Sequence, residues 1–485
     1  MKRHLCVICL VFTVVLGIVM QLWSVPPIRI DIDDGQMITV TGTVYQKEIK
    51  YNNSVIYLED VSILATSSQP SIRKEHQSTE TLQMKQLHIE NIMCYMNMKG
   101  TEQNLPCIGS TVSMMGEFWN FREATNPGEF DTKEYYHLLG IACSLQKAQL
   151  IRKSVTYHVL REALWQFSRK CASVYECCMN EQDASVMKAM LLGQKGELDT
   201  EIKKLYQQAG IAHLYAISGL HISLISGGIY KALRKAGTPI WLAALTGCTF
   251  LILYVMMTGI SASSFRAIIM FLLSLLADCV GRTYDMLTAL AVSAVLLLIE
   301  QPLYLYQTGF QLSFAAILGI GIVGPPIREL LSVKGFWGKV WSAFSASLSV
   351  SLATLPIQIS SYYSVNIYSI FLNLFVIPCM SIILPAGGAG LFLGLCNEAA
   401  GSLILQICHS LLVFYEKSSQ WTISIPGSIW ITGASTNWQI VLYYIMLLGG
   451  VYLLHWIKKV ERVKAVIRKD GVEDAKERRR RMRKE

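Results

Sequence analysis

Apolar and polar residues alternate one for one in "QMITVTGTVYQKEIKYNNSVIYLEDVSILAT", residues 36–66, on both sides of Tyr51-Asn52-Asn53-Ser54. Alternation puts every second side chain on one face of a strand, and an Asn-rich break between two such runs predicts a hairpin. Leu87 to Met96 and Ser110 to Trp119 read as two further strands. Short strands packed into so small a region predict a barrel, for which the OB-fold fits best.

After Arg152 the period lengthens. Leu160, Leu164, Phe167 and Cys171 share one helical face, as do Ile202, Leu205, Tyr206 and Ala209. These runs are too polar to span a bilayer and predict either amphipathic helices in the headgroup layer or a packed helical subdomain. Asp199 is the expected N-cap of the second and Gly210 its stop, with Gly193 and Gly196 separating the two. Long apolar windows follow. With one at the start of the chain, they fall near 5–23, 213–231, 240–257, 263–280, 286–300, 309–324, 340–360, 365–385, 386–415 and 437–457, each near the length a helix needs to cross hydrocarbon.

Composition agrees: 52% of the 485 residues are hydrophobic and 16% charged, with mean hydropathy +0.38. The expected fold class is an α-helical polytopic membrane protein with a small all-β, OB-like extracytoplasmic domain near the N terminus. The expected divisions are an N-terminal transmembrane anchor at 1–23, the β domain at 28–150, an amphipathic helical linker at the membrane surface at 151–210, a polytopic domain at 211–457 and a basic tail at 458–485. Met1-Lys2-Arg3 and its apolar run resemble a signal peptide, but no small-x-small site precedes Trp23 and Pro26-Pro27, so an uncleaved anchor is expected.

Charge orients this arrangement. From Lys458 onward 13 Lys and Arg face six Asp and Glu, a net +7 out of the total +9. Basic flanks stay in the cytosol, so Lys2-Arg3 and the tail belong inside and the long polar region between the first two spans outside. The run "KERRRRMRK" acts as a topology signal with affinity for anionic lipid, nucleic-acid binding being the alternative. Cys94, Cys107, Cys143, Cys171, Cys177 and Cys178 fall in the region assigned outside, where disulfides can persist.

Polar groups interrupt the apolar windows. "HLYAISGLHISLISGGIY", 213–230, carries His213 and His221; a continuous helix would set them about 12 Å apart along its axis and some 80° apart around it. Ser218-Gly219 lies between them and permits a local break, tolerated at membrane depth only inside protein or beside water. Arg266 in "TGISASSFRAIIM" and Gln307, Gln311 and Ser313 in "YQTGFQLSFAAILGI" follow, then Gln358, Asn366 and Asn373. A buried guanidinium needs water, an anion or a counter-charge. Together these residues predict a wet, cation-edged path lined by His213, Ser218, Gly219, His221, Arg266, Gln307, Gln311 and Asn373. On the barrel, Tyr45, Tyr51, Tyr57, Phe118, Trp119 and Phe121 offer either a stacking platform for single-stranded nucleic acid or ordinary core residues.

No H-x-H-x-D-H or H-E-x-x-H cluster and no G-x-x-x-x-G-K-[ST] loop is present, so no catalytic residue, metal or cofactor is expected. Ser218 and His221 are three apart, but no G-x-S-x-G elbow or orienting acid accompanies them.

Taken in order, "NPGEFDTKEYYHLLGI" (126–141), "LLGQKGEL" (191–198), "AGIAHLYAISGLHISLISG" (209–227), "TGISASSFRAIIM" (258–270), "QPLYLYQTGFQLSFAAILGI" (301–320) and "LATLPIQISSYYSVNIYSIFLNLFVIP" (352–378) resemble the ComEC family of competence proteins. The resemblance covers roughly residues 30–390. It implies a channel conducting single-stranded transforming DNA across the bacterial inner membrane, with an external DNA receptor and a cytosolic helicase-like ATPase as partners, beside membrane lipids. Many members carry a C-terminal metallo-β-lactamase-like domain that this sequence lacks, so strand degradation would need a separate nuclease. Ala262 stands where the family has proline, which puts any kink there in doubt; Ser261, Ser263 and Ser264 are expected to loosen the turn instead. A pore within one chain and a pore between copies both fit. The rival readings are a secondary transporter for a small anionic solute and an intramembrane Ser-His hydrolase.

Overall fold

The computed structural model describes residues 4–22, 30, 32–50, 53–64, 87–97, 105–126, 128–259, 261–331, 333–433 and 435–481. Lys2-Arg3, Trp23, the prolines at 26 and 27, and Tyr51-Asn52 of the expected hairpin turn lie outside them. The chain divides into two compact units, Met1–Phe310 with Ile377–Ile425, and Gln311–Val376 with Pro426–Glu485.

Helix α1 (His4–Leu22) opens the first unit. Five strands follow, β1 (Met37–Lys50), β2 (Asn53–Leu64), β3 (Leu87–Asn97), β4 (Thr111–Trp119) and β5 (Ile141–Lys153), with α2 (Thr132–Leu138) before the last. They close in the order β1-β2-β3-β5-β4, the OB arrangement. Inward positions Ile38, Val40, Val44, Ile56, Leu58, Val61 and Ile63 form the core. The alternation slips where Thr41 pairs Ser62 but Thr43 pairs Glu59, and Asp60 takes a positive φ of 54° at that bulge, which bends the pair toward closure. Neither β5 nor α2 was expected as a separate element. Parallel pairing of β3 with β5 forces a crossover, and β4 and α2 supply it.

Helices α3 (Val159–Cys178), α4 (Glu181–Met187) and α5 (Thr200–Gln208) come next, α4 continuing as a π turn over Lys188–Leu192. The second apolar face faces protein, with Ile202, Tyr206 and Ala209 buried and α5 packed on the later helix α14 (Glu398–Ser424). On α3, Cys171 and Tyr175 point inward while Leu160 and Phe167 are exposed. Asp199 caps α5 by accepting from Glu201 N at 2.8 Å.

One buried ion pair ties the barrel to α3. Lys47 Nζ donates to both Glu162 oxygens, at 3.1 and 2.9 Å, and sits 3.7 Å from the centre of the Trp165 ring. Glu162 also accepts from Ile108 N at 2.8 Å. Burial pushes the Lys47 pKa down, with Glu162 opposing.

Helices α6 (Gly219–Lys235), α7 (Ile240–Thr258), α8 (Ala262–Val280) and α9 (Met286–Glu300) pack together, with α1 against α9. Helices α10 (Thr308–Leu318) and α13 (Ser369–Cys396) each run from one unit into the other. The second unit holds α11 (Gly324–Arg328), α12 (Gly335–Tyr362), a small ribbon of β6 (Ser364–Asn366) and β7 (Ile429–Ile431), and α15 (Asn437–Arg481). Among the described residues eight helices are long and apolar enough to cross a membrane, and Leu5–Met20 and Met286–Glu300 are shorter apolar helices. The protein is multi-pass.

One expected boundary moves. The sequence placed a break after residue 385, yet α13 continues through Pro378 and Pro385 to Cys396. Surrounding helices can satisfy the groups a membrane proline frees. The chain breaks instead at Asn397, whose Oδ1 accepts from Ala399 N and Ala400 N at 2.9 and 3.3 Å.

All thirteen cysteines are free. Burial raises the Cys94 thiol, with Cys143 adding to the shift, and pushes Cys143 itself up to about 12. A maleimide at pH 8 is therefore expected to modify exposed Cys177 and to spare Cys94 and Cys143, as mass spectrometry of the native protein would show. Lys47→Met, which strands the Glu162 carboxylate, is expected to cost about 3–5 kcal/mol, with Lys47→Met/Glu162→Leu recovering much of it. Thermal unfolding of the purified variants checks this.

Candidate functional site

Two membrane helices begin side by side. Ser218 starts α6: its Oγ accepts from Leu220 N at 3.3 Å while His221 Nδ1 accepts from Ser218 N at 3.1 Å, a reciprocal capping box. Ser261 starts α8 in the same way, its Oγ accepting from Ser264 N at 3.2 Å and its own N–H donating to Ser264 Oγ at 2.7 Å. Ser263 Oγ then donates to the Ile217 carbonyl at 3.1 Å, stitching the two starts together. Each helix start carries roughly half a positive charge.

Arg266 lies one turn into α8 and is 5% exposed. A Cβ on Gly219 would stand 3.3 Å from Arg266 Nη2, so the bare first residue of α6 is what lets the guanidinium lie against that helix start. His221 is fully buried. Its Nδ1 accepts a backbone N–H, so the neutral ring carries its proton on Nε2. One guanidinium and two helix starts thus converge, an arrangement suited to an anion.

The local break that Ser218-Gly219 was expected to permit is present: His213 is on a 3-10 turn, Ala212–Leu214, and α6 begins only at Gly219 because Ser218 caps it, so the spacing of a continuous helix does not apply. Expectations for the next helix start need correction. The serines near 262 do not loosen their turn but close a capping box. Ala262 is the first residue of α8, where proline starts helices rather than kinking them, so the family's proline and this alanine are compatible with the same geometry.

Ser218 Oγ does lie 3.0 Å from His221 Nδ1. That contact belongs to the cap, and the ionisable side chains grouped with His221 are His213 and Lys195 rather than a carboxylate.

The "LLGQKGEL" stretch holds a residue that its motif alone did not single out. Gly193 approaches the end of α7, where a Cβ would stand 2.7 Å from the Thr258 carbonyl. Gly196 lies on β1, where a Cβ would stand 2.9 Å from Glu48 Oε1 and from the Ile49 carbonyl. Between them Lys195 is exposed. Around the loop, Lys188 bonds Glu176 at 2.7 Å and also Glu197, and Gln194 Nε2 donates to Ser168 Oγ at 3.0 Å.

Gln307 Oε1 is buried without a partner near the start of α10. Gln311 and Asn373 belong to the second unit, where Asn373 Oδ1 is likewise buried and unpartnered. Gln358 and Asn366 serve locally, donating to Thr354 Oγ1 at 2.9 Å and accepting from Tyr368 N at 2.9 Å. Phe118 is barrel core, which removes it from the expected platform. Trp119 and Phe121, with Tyr95, Arg122 and Tyr136, line a recess of about 460 Å³.

The family model described as "Competence protein" matches residues 190–457, which take in the capped starts of α6 and α8 and Arg266. The chain belongs to this competence family. It is 27% identical over 296 residues to ComE operon protein 3 of Bacillus subtilis, covering 61% of this chain and 37% of that protein. It is 23% identical over 274 residues to Recombination protein 2 of Haemophilus influenzae, covering 53% and 34%. An uncharacterized protein of Mycoplasma pneumoniae is 26% identical over 263 residues, 52% of this chain and 63% of that one. The competence chain thus spans between about a third and two thirds of these relatives. No solved structure matches it.

Ser218→Ala is expected to lower stability by about 1 kcal/mol through loss of the cap, read as a shift in thermal unfolding. Gly219→Val puts a branched side chain against Arg266 and is expected to destabilise more than Gly228→Val, because a Cβ at Gly228 meets nothing within 4 Å.

Proposed function

We propose that this chain conducts single-stranded DNA inward across the bacterial cytoplasmic membrane during natural competence, acting as a channel rather than an enzyme. The observation that carries the reading is the pairing of two capped helix starts with buried Arg266. A DNA strand carries a charge at every phosphate, and a dry apolar passage would reject it. Fixed partial charges and one guanidinium attract phosphate without the deep trapping of a dense arginine ring, as conduction requires. Membership of the competence family, and similarity to ComE operon protein 3 and Recombination protein 2, support DNA as the cargo.

Orientation follows from charge. In the second unit α12 and α15 run antiparallel, with Tyr443 Oη donating to the Leu352 carbonyl at 2.9 Å and Ser360 Oγ 2.8 Å from Ser435 Oγ. This sets Arg328, Lys334 and Lys339 at the same end as Lys458 and Lys459. Basic ends face the cytosol; in the first unit the same rule applied to Lys2-Arg3 leaves the β domain outside in this reading. The side chains of the "KERRRRMRK" run are outside the described residues.

Moving each charge inward against 100 mV costs about 2.3 kcal/mol, so the strand must be pulled. A cytosolic helicase-like ATPase supplies that bias, and an external receptor delivers the DNA.

In a transformable host, deleting this protein is expected to preserve surface-bound end-labelled DNA and to abolish cytosolic single-stranded label. Arg266→Gln is expected to cut cytosolic label at least tenfold while the protein stays inserted, and Ser218→Ala to leave it near wild type. Undiminished entry after deletion would overturn the reading and favour a small-anion transporter; loss of entry in Ser218→Ala alone would favour the hydrolase.

A further inference from the structure

We propose that Lys195 is a phosphate-binding residue that receives the strand between the barrel and the α6/α8 junction, and that Glu48 of the barrel is the carboxylate a phosphate displaces there. The inference rests on the DNA-conducting reading above. Lys195 is placed by its neighbours on both sides. Gly193 lies against the Thr258 carbonyl and Ile217, the residue whose own carbonyl joins the two helix starts, while Gly196 lies against Glu48, Ile49 and Lys50 of β1. The segment from Gly193 to Gly196 is therefore a four-residue bridge from barrel to membrane helices, and Lys195 is its one cation.

The groups around Lys195 fit an exchange of anions. Glu48 is the acidic group that acts on Lys195, Lys203 adds a like charge, and His221 lies within its field. Glu48 is itself held, accepting from Tyr57 Oη at 3.1 Å. Lys195 is solvent-exposed, and its neighbour Gly196 lies against Glu48 Oε1. An exposed cation with a carboxylate beside it and two helix starts beyond binds an anion only as that anion competes with the carboxylate. The Glu197–Lys188–Glu176 network anchors the loop from behind, so the bridge is held in place while the Lys195 head remains free to change partners.

The test measures binding of fluorescein-labelled oligo-dT to the full-length protein in lipid nanodiscs across a salt series. Each phosphate contact on a single strand contributes about 0.7 to the slope of log K against log salt. Lys195→Gln is expected to lower that slope by about 0.7, Lys195→Arg to restore it, and Glu48→Gln to tighten binding about fivefold. Wild-type protein that binds no oligo-dT would overturn the DNA-conducting reading and this inference with it. Wild-type binding with an unchanged slope in Lys195→Gln would overturn the Lys195 assignment alone. Glu48→Gln binding no more tightly than wild type, with the Lys195→Gln effect intact, would overturn the role given to Glu48.

Discussion

Backbone polar groups and charges placed in hydrocarbon must find partners or face water. Two helices begin next to each other in this protein, and their first N–H groups, with Arg266, have to be accommodated together. Two capping boxes and one Ser263-to-Ile217 hydrogen bond do the accommodating. They satisfy several donors locally and bring one guanidinium against the two helix starts. The glycine at 219, the serines at 218, 261 and 263 and the arginine at 266 are one solution to one electrostatic problem. That is why their motifs stand together even though the two helix starts, Gly219 and Ala262, are 43 positions apart in the chain.

The same constraint explains the linking parts. The Lys47–Glu162 pair, with Trp165 over the ammonium, fixes the position of the barrel on α3. The glycine-bounded loop fixes it a second time, to the helix starts themselves. A fully buried ion pair adds little stability over an apolar contact, but breaking it is costly. It therefore serves position more than strength, and it sets β1, with Gln46 and Glu48, toward the loop.

Much of this was legible in the sequence, wherever one local period determined the element. The first four strands followed from alternation, the apolar helices from window length, and the α5 cap from Asp199. The failures are equally physical. Strand β5 depends on a parallel, non-local pairing with β3 that local pattern does not encode. The span boundary after residue 385 was misplaced because the neighbours that let α13 continue through Pro385 are invisible from the chain. The spacing of His213 and His221 along one ideal helix does not apply, because Ser218 interrupts it at the break that Ser218-Gly219 was expected to permit. Lys195 carried no signal of its own; the two flanking glycines did, and their meaning emerged only once the surfaces they approach were known. Gln311 and Asn373 share polarity with the junction residues but belong to the other unit.

The central claim is that the protein itself provides a passage for a single strand and not for a duplex. It is tested most directly by placing purified protein in liposomes that hold a single-strand-binding protein as an internal trap, then adding labelled DNA outside with no membrane potential. The account predicts nuclease-protected single strand accumulating inside, no protected duplex, and loss of the signal with Arg266→Gln. Protection of neither form with correctly inserted protein, or equal protection of both, would contradict it.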